Sequence, residues 1–246
     1  MPAVFVHGNP ETAAVWQPLI AELGRQDVVC LSPPGFGAPL PPGFGATVGE
    51  YRDWLLEQLA AIEEPVDLVG HDWGGSHVVN AVNARPDLIR SWVSDTLGSF
   101  DPDYAWHELA RVWQTPGGGE SAVADLFGSV ETLRTTLVQR GFPEDLAAEI
   151  AAGLGPETGR AVLALYRSAA QPVMAELGRD LTGLTRRPGL AVLAGEDHVV
   201  GTDEQRRRTA ARAGAQVAEL PGLGHWWMVQ DPVRSAGVLT AFWALC

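Results

Sequence analysis

The sequence predicts an α/β fold built on a mostly parallel sheet with helices on both faces. Three observations point there. Short apolar, β-branched runs recur along the 246 residues, most of them bounded by Gly, Pro or Asp. Segments of helical length separate those runs, which is the rhythm of strands joined by crossover helices. One long stretch, 99–187, carries helical spacing and no convincing strand.

Taken in order, the strands are expected at Ala3–Val6, Val28–Leu31, Val66–Val69, Ser91–Val93, Leu190–Leu193 and Gln216–Glu219. Helices are expected at Trp16–Leu23, Val48–Ala61 and Gly75–Ala84 between the first four strands. Within 99–187, Val123, Leu126, Phe127, Val130, Leu133 and Leu137 recur at helical spacing. Leu146–Leu154 and Arg160–Leu177 read as helices too, the latter interrupted by Pro172. The stretch therefore reads as a helical cap at 99–187, inserted between the two parts of a core, 1–98 and 188–246. Thr115–Gly119 is expected to be a loop in it. The segment Pro33–Ala38 recurs at Pro41–Ala46, but two copies in one loop do not make a solenoid.

Composition narrows the function. The formal charge is −13, from 30 acidic residues against 17 basic ones, every one of them Arg. Such a surface repels phosphate backbones, so nucleic acid is not an expected partner. The basic run Arg206–Arg208 falls in a helical pattern and is expected to be a solvated face. Two cysteines, Cys30 and Cys246, do not make a disulfide framework, and a cytoplasmic, reducing compartment is expected. The opening MPAVFVHGNP lacks the charged and apolar regions of a signal peptide. No apolar run of about 18 residues is present to span a membrane. A small molecule is thus the expected partner; oligomeric state is left open.

In parallel sheets, chemistry gathers at the carboxyl ends of strands. Val69-Gly70-His71-Asp72-Trp73-Gly74-Gly75 follows a strand and opens a helix. Its Gly-x-Asp-x-Gly core has the shape of a nucleophile elbow, with Asp72 where Ser usually stands. The plainer alternative is that Asp72 only caps the helix. His7-Gly8-Asn9-Pro10 follows the first strand, Gly195-Glu196-Asp197-His198 the strand at Leu190–Leu193, and Gly224-His225-Trp226-Trp227 the last. The order of nucleophile, acid and histidine is that of a catalytic triad. Asp95, after Ser91–Val93, is a rival to Asp197, though a cap or turn suits it better. The histidines show no metal-ligand spacing, and neither H-E-x-x-H nor C-x-x-C is present, so metal and cofactor are not expected.

With HGNP at 7–10, GHDWGG at 70–75, GEDH at 195–198 and GHWW at 224–227, the chain resembles the α/β-hydrolase family over essentially its whole length. It is most similar to the branch with an Asp nucleophile, the haloalkane dehalogenases and epoxide hydrolases. The resemblance implies an α/β-hydrolase fold, with the sheet trimmed at its N-terminal edge because two strands usually precede HG. It implies that Asp72 attacks a saturated carbon to form an alkyl ester. His225, oriented by Asp197, would then activate the water that hydrolyses it. A carboxylate suits this because it is already ionised. The N–H groups of Asn9 and Trp73 would hold the oxyanion, and their side chains would clamp a departing halide. An epoxide would instead need hydroxyl acids: Tyr166, and with less fitting spacing Tyr104. Trp106, His107 and Trp113 are further donor candidates in the cap. Haloalkane dehalogenation is the favoured expectation, epoxide hydrolysis the alternative, and a catalytically silent binding protein of the same fold the third.

Overall fold

The computed structural model describes residues 1–246. In chain order its elements are β1 (Ala3–Val6), α1 (Gln17–Leu23), β2 (Val28–Leu31), α2 (Val48–Ala60), β3 (Val66–Gly70), α3 (Trp73–Ala84) and β4 (Ile89–Ser94). Six helices follow: α4 (Glu108–Gln114), α5 (Gly118–Phe127), α6 (Val130–Gln139), α7 (Glu144–Ala152), α8 (Pro156–Ser168) and α9 (Val173–Leu177). The chain returns through β5 (Gly189–Ala194), α10 (Asp203–Arg212), β6 (Gln216–Leu220), α11 (Trp227–Gln230) and α12 (Pro232–Trp243). The expected strands are all present, two at the expected bounds and four longer by one to three residues.

The six strands form one sheet, ordered β2-β1-β3-β4-β5-β6, with every pair parallel. β1 and β3 are wholly buried, as strands covered by helices on both faces must be. The chain runs from β1 outward to β2, then back across to β3. That reversal opens a crevice at the carboxyl ends of β1 and β3. Val6 is paired with Gly70, so the loops carrying His7–Asn9 and His71–Asp72 leave the sheet side by side.

Between β4 and β5 the chain forms helices and no strand, as its periodicity predicts. Two details differ from the sequence reading. Gly118 and Gly119 open α5 rather than extending a loop, since Glu120 bonds back to the Gly117 N–H at 2.7 Å and closes the helix start. Arg206 is not on a solvated face: it is 2% exposed and donates to the Ala194 carbonyl at 2.8 Å, while the exposed Arg207 pairs with Glu219 and the exposed Arg208 with the buried Asp101. As expected, the helical run at 160–177 is interrupted at Pro172, splitting into α8, which begins earlier at Pro156, and α9. The repeated loop has a local purpose, since Phe36 and Phe44, one from each copy, both pack on the Tyr51 ring. Cys30 and Cys246 are unjoined, and no helix is long and apolar enough to cross a membrane.

Candidate active site

Asp72 sits in the turn between β3 and α3 with φ 50° and ψ −126°. A non-glycine residue held at positive φ is strained, and the surroundings must impose it. The flanking glycines show how. A Cβ on Gly74 would lie 2.0 Å from the Val6 carbonyl oxygen, so only glycine lets α3 start this close to β1. A Cβ on Gly8 would fall 2.2 Å from Asp72 Oδ1. The side chain of Asp72 makes no capping bond to α3, so its carboxylate is turned away from the helix it precedes. Its Oδ1 accepts the Asn9 backbone N–H at 2.9 Å.

His225 reaches the same point from the loop after β6. Its Nδ1 lies 2.8 Å from Asp197 Oδ2, and its Nε2 lies 3.6 Å from Asp72 Oδ2. Asp197, from the loop after β5, is 2% exposed and also accepts the Val199 N–H at 2.8 Å. Burial alone would push the Asp72 carboxyl up, but the cation of His225 beside it outweighs burial and holds it at about 2. Burial likewise opposes charge on His225, and the Asp197 carboxylate overrides it, raising the imidazole to about 10.

Asp95 neither caps a helix nor orients His225. Its Oδ1 accepts the Asp72 backbone N–H at 3.0 Å, and its Oδ2 accepts from His71 Nδ1 at 2.5 Å and Trp227 Nε1 at 2.7 Å. His71 in turn meets Glu11 Oε1 through Nε2 at 3.1 Å. Glu11 accepts the Trp226 indole N–H at 2.6 Å and the Gly8 N–H at 3.2 Å. All three side chains are buried, and the two acids overcome burial to raise His71 well above the ordinary histidine range. This ionic layer joins the loops after β1, β3, β4 and β6 under Asp72. Sequence reasoning missed it because its members are weak signals singly. Only Glu11, four residues beyond His7 in a strand-end loop, offered a hint.

Glu11, His71 and His225 bring three possible metal-ligand atoms within 4.8 Å. Both ring nitrogens of His71 already face carboxylates, so the set has no lone pair to offer there.

A cavity of about 330 Å³ lies against Asp72, Asn9 and His225, with Tyr166, Trp113 and His107 on its other walls. A chamber of about 20 Å³, room for one water, adjoins it beside Trp73, Tyr104 and Trp106. The carboxamide of Asn9 is buried and neither of its polar atoms has a partner. The Tyr166 hydroxyl is kept protonated by burial, a push only partly relieved by the Trp73 indole N–H and Asn9 amide that face it. The Tyr104 hydroxyl is already taken, donating to the Val199 carbonyl at 2.9 Å. His107 accepts the Ala110 N–H through Nδ1 at 3.2 Å, which leaves the proton of its neutral ring on Nε2. The Trp106 and Trp113 indole nitrogens are buried without partners, and both rings pack on Tyr166. Trp73, Asn9, Tyr166, Trp113, Trp106 and His107 thus all border the cavity or its side chamber. Arg140, which sequence reasoning did not single out, lines it as well.

A parallel sheet, a strained elbow and an acid–histidine pair on successive strand ends define a hydrolase of the α/β class. The chain belongs to the α/β hydrolase family, whose model matches residues 3–238. Among solved structures it is similar to the haloalkane dehalogenase DbeA from Bradyrhizobium elkani USDA94, with a TM-score of 0.75, 20% identity, and 100% of this chain and 92% of that one covered. It is similar also to E-2-(acetamidomethylene)succinate hydrolase, with a TM-score of 0.71, 22% identity, and 98% and 90% covered. The thioesterase domain from the curacin biosynthetic pathway matches with a TM-score of 0.70, 17% identity, and 98% and 91% covered. No curated protein matched by sequence. At these identities the likeness is one of fold.

Proposed function

We propose that the protein hydrolyses a bond at a saturated carbon through an ester on Asp72, and that its substrates are organohalides. The observation that carries the choice of leaving group is the Asn9 carboxamide, buried with no partner beside the nucleophile. An unsatisfied buried amide costs about 1–3 kcal/mol. The cost is offset only when something accepts from it, and a halide leaving Asp72's target carbon would. The Trp73 indole N–H, like the Asn9 amide, faces the Tyr166 hydroxyl on the wall of this site.

In this reading Oδ2 of Asp72 attacks the carbon, the carbon–halogen bond breaks, and the halide departs onto Asn9 and Trp73. Esterification removes the charge of Asp72. His225 then loses one of the two anions that stabilise its proton, so its pKa falls and it can act as a base. It takes a proton from water, and the water oxygen attacks the Asp72 carbonyl carbon. The Asn9 backbone N–H, 2.9 Å from Oδ1, stabilises the resulting oxyanion. Collapse releases the alcohol, which takes its proton from His225, and the Asp72 carboxyl, whose pKa is low, gives its remaining proton to solvent. The segment 99–187 acts as the cap that encloses the substrate, and 1–98 with 188–246 as the core that carries the chemistry.

Epoxide opening is the second reading. It is favoured by the Tyr166 hydroxyl, which lines the cavity and makes no hydrogen bond with good geometry. Its weakness is that Tyr104, the other expected acid, is bonded to Val199. A turnover assay with brominated alkanes and styrene-type epoxides tests the assignment. Halide release without epoxide opening is the expected result; epoxide opening alone replaces it with the second reading. No turnover of either class removes both.

A further inference from the structure

The cavity above Asp72 is lined in part by a solvent-exposed cation that the proposed chemistry does not use. Arg140, just past the end of α6, lines it. In a chain with 30 acidic residues to 17 arginines, carboxylates abound, and most of the arginines have found one. Arg140 has not: it makes neither an ion pair nor a side-chain hydrogen bond. Arg111 and Arg186 share that condition, but neither lines the cavity.

Arg140 is nonetheless seated. Its guanidinium carbon lies 5.6 Å from the centre of the Trp226 ring. That ring is held by Glu11 through its indole N–H, and packs 5.0 Å from His225. A cation–π contact of this kind uses none of the guanidinium N–H donors, and they remain free. Those donors match the two oxygens of a carboxylate. His107 adds an Nε2–H on the same cavity wall, and the charge of Arg140 is felt at His107 and Tyr166. Other polar groups of the cavity wall also lack partners, among them the Trp113 indole N–H and the Asn9 carboxamide beside Asp72. The cavity thus offers donors beside Asp72 and a separate cation with no anion of its own.

We propose that the substrate is an organic acid whose carboxylate is held by Arg140 while its reacting carbon meets Asp72. This rests on the reading of Asp72 as a nucleophile at saturated carbon and narrows its substrates to anionic ones. At about 330 Å³ the cavity is at the small end for ligand sites, which suits a short chain.

Hexanoate and hexan-1-ol are probes that differ in the acid group and cannot react. Their affinities are measured by calorimetry on wild type, Arg140→Gln and Arg140→Lys, alongside turnover of 6-bromohexanoate and 1-bromohexane. Wild type should bind hexanoate at least tenfold tighter than hexan-1-ol. Arg140→Gln should abolish that preference and leave hexan-1-ol within twofold, while Arg140→Lys, which keeps the charge but not the fork, should retain part of it. Equal affinities in wild type, or a preference that survives in Arg140→Gln, would overturn the proposal. The two readings fail separately. Turnover of 1-bromohexane with no preference for the acid removes the carboxylate subsite and leaves the reaction. An Arg140-dependent preference for hexanoate without turnover of any bromide or epoxide removes the reaction and leaves the subsite.

Discussion

His225 Nε2 stands 3.6 Å from Asp72 Oδ2, beyond hydrogen-bond length, while its Nδ1 is bonded to Asp197 at 2.8 Å. The imidazole is therefore tethered by Asp197 and only faces Asp72. A Ser nucleophile would need that proton contact to become reactive; a carboxylate held near pKa 2 does not. The separation suits a division of labour in which Asp72 acts first and His225 second.

The first prediction follows from that division. His225→Ala should form the Asp72 ester and fail to hydrolyse it. Intact-protein mass spectrometry after exposure to a bromoalkane should show the variant heavier by one alkyl group, with steady-state turnover down by at least about 10²-fold, the scale of lost general-base help. A variant that turns over normally and carries no adduct excludes His225 as the base.

The same ion pair links stability to pH. His225 is raised from 6.5 to about 10, so its stabilising contribution is complete below 6.5 and is lost as pH rises through about 10. Asp72 is lowered from 3.8 to about 2, so its contribution is complete above 3.8 and is lost as pH falls through about 2. Urea titrations of wild type and His225→Gln should show the largest stability difference between about pH 4 and 6.5, shrinking steadily toward pH 10. A difference that is constant over this range would show that the pair is not ionic.

Much of this site could be read from the sequence, for a physical reason. An elbow demands small residues at fixed offsets, so Gly70, Asp72 and Gly74 announce it locally. Strands buried on both faces demand continuous apolar runs, so the sheet announces itself too. What stayed hidden depends on contacts between distant loops. Asp95 reads as a turn residue until β3 and β4 pair and bring it to the Asp72 N–H. Arg206 reads as surface until α10 packs and the Ala194 carbonyl receives it. Arg140 has no local pattern at all; its position matters only because Trp226 lies beneath it.

His71 should matter without touching substrate. It bridges Glu11 and Asp95, which hold the Gly8 and Asp72 N–H groups, and its ring lies 4.6 Å from that of His225. Replacing it leaves two buried carboxyl groups without their shared cation, a change costing about 3–5 kcal/mol for a buried pair. His71→Gln should therefore unfold at markedly lower temperature. The double variant Glu11→Gln, His71→Gln should recover part of the loss by removing one of the stranded charges. Calorimetry that finds the double variant less stable than His71→Gln would contradict this account of the ionic layer.

The side chains of Asn9 and Trp73 are expected to act on the leaving group alone. Each of Asn9→Ala and Trp73→Phe removes one donor to a developing anion, so a loss of about 10²–10³ in kcat is the expected scale. The Asn9 backbone N–H is retained in the alanine variant, so ester hydrolysis should be spared. Single-turnover kinetics separates the steps: slowed halide release with normal deacylation is the expected pattern. Bromide should also quench wild-type tryptophan fluorescence more than that of Trp73→Phe, and equal quenching would remove the halide site from Trp73.

Tyr166 should separate the two chemistries. An opening epoxide leaves an alkoxide, a poor leaving group that needs a proton as it forms. Tyr166, protonated by burial and lining the cavity, is placed to supply one, and general-acid help of this kind is worth about 10²–10⁴ in rate. Tyr166→Phe keeps the ring that packs edge-on against Trp73 at 5.1 Å and deletes only the hydroxyl. A bromide leaves without a proton, so on a haloalkane the same change loses one weak neighbour of the halide donors and nothing more. Rates for Tyr166→Phe should then stay within about tenfold of wild type, or about 1.4 kcal/mol in barrier. If wild type opens epoxides, releases no halide, and loses all activity in Tyr166→Phe, the leaving group is an alkoxide and the donors at Asn9 and Trp73 serve it instead.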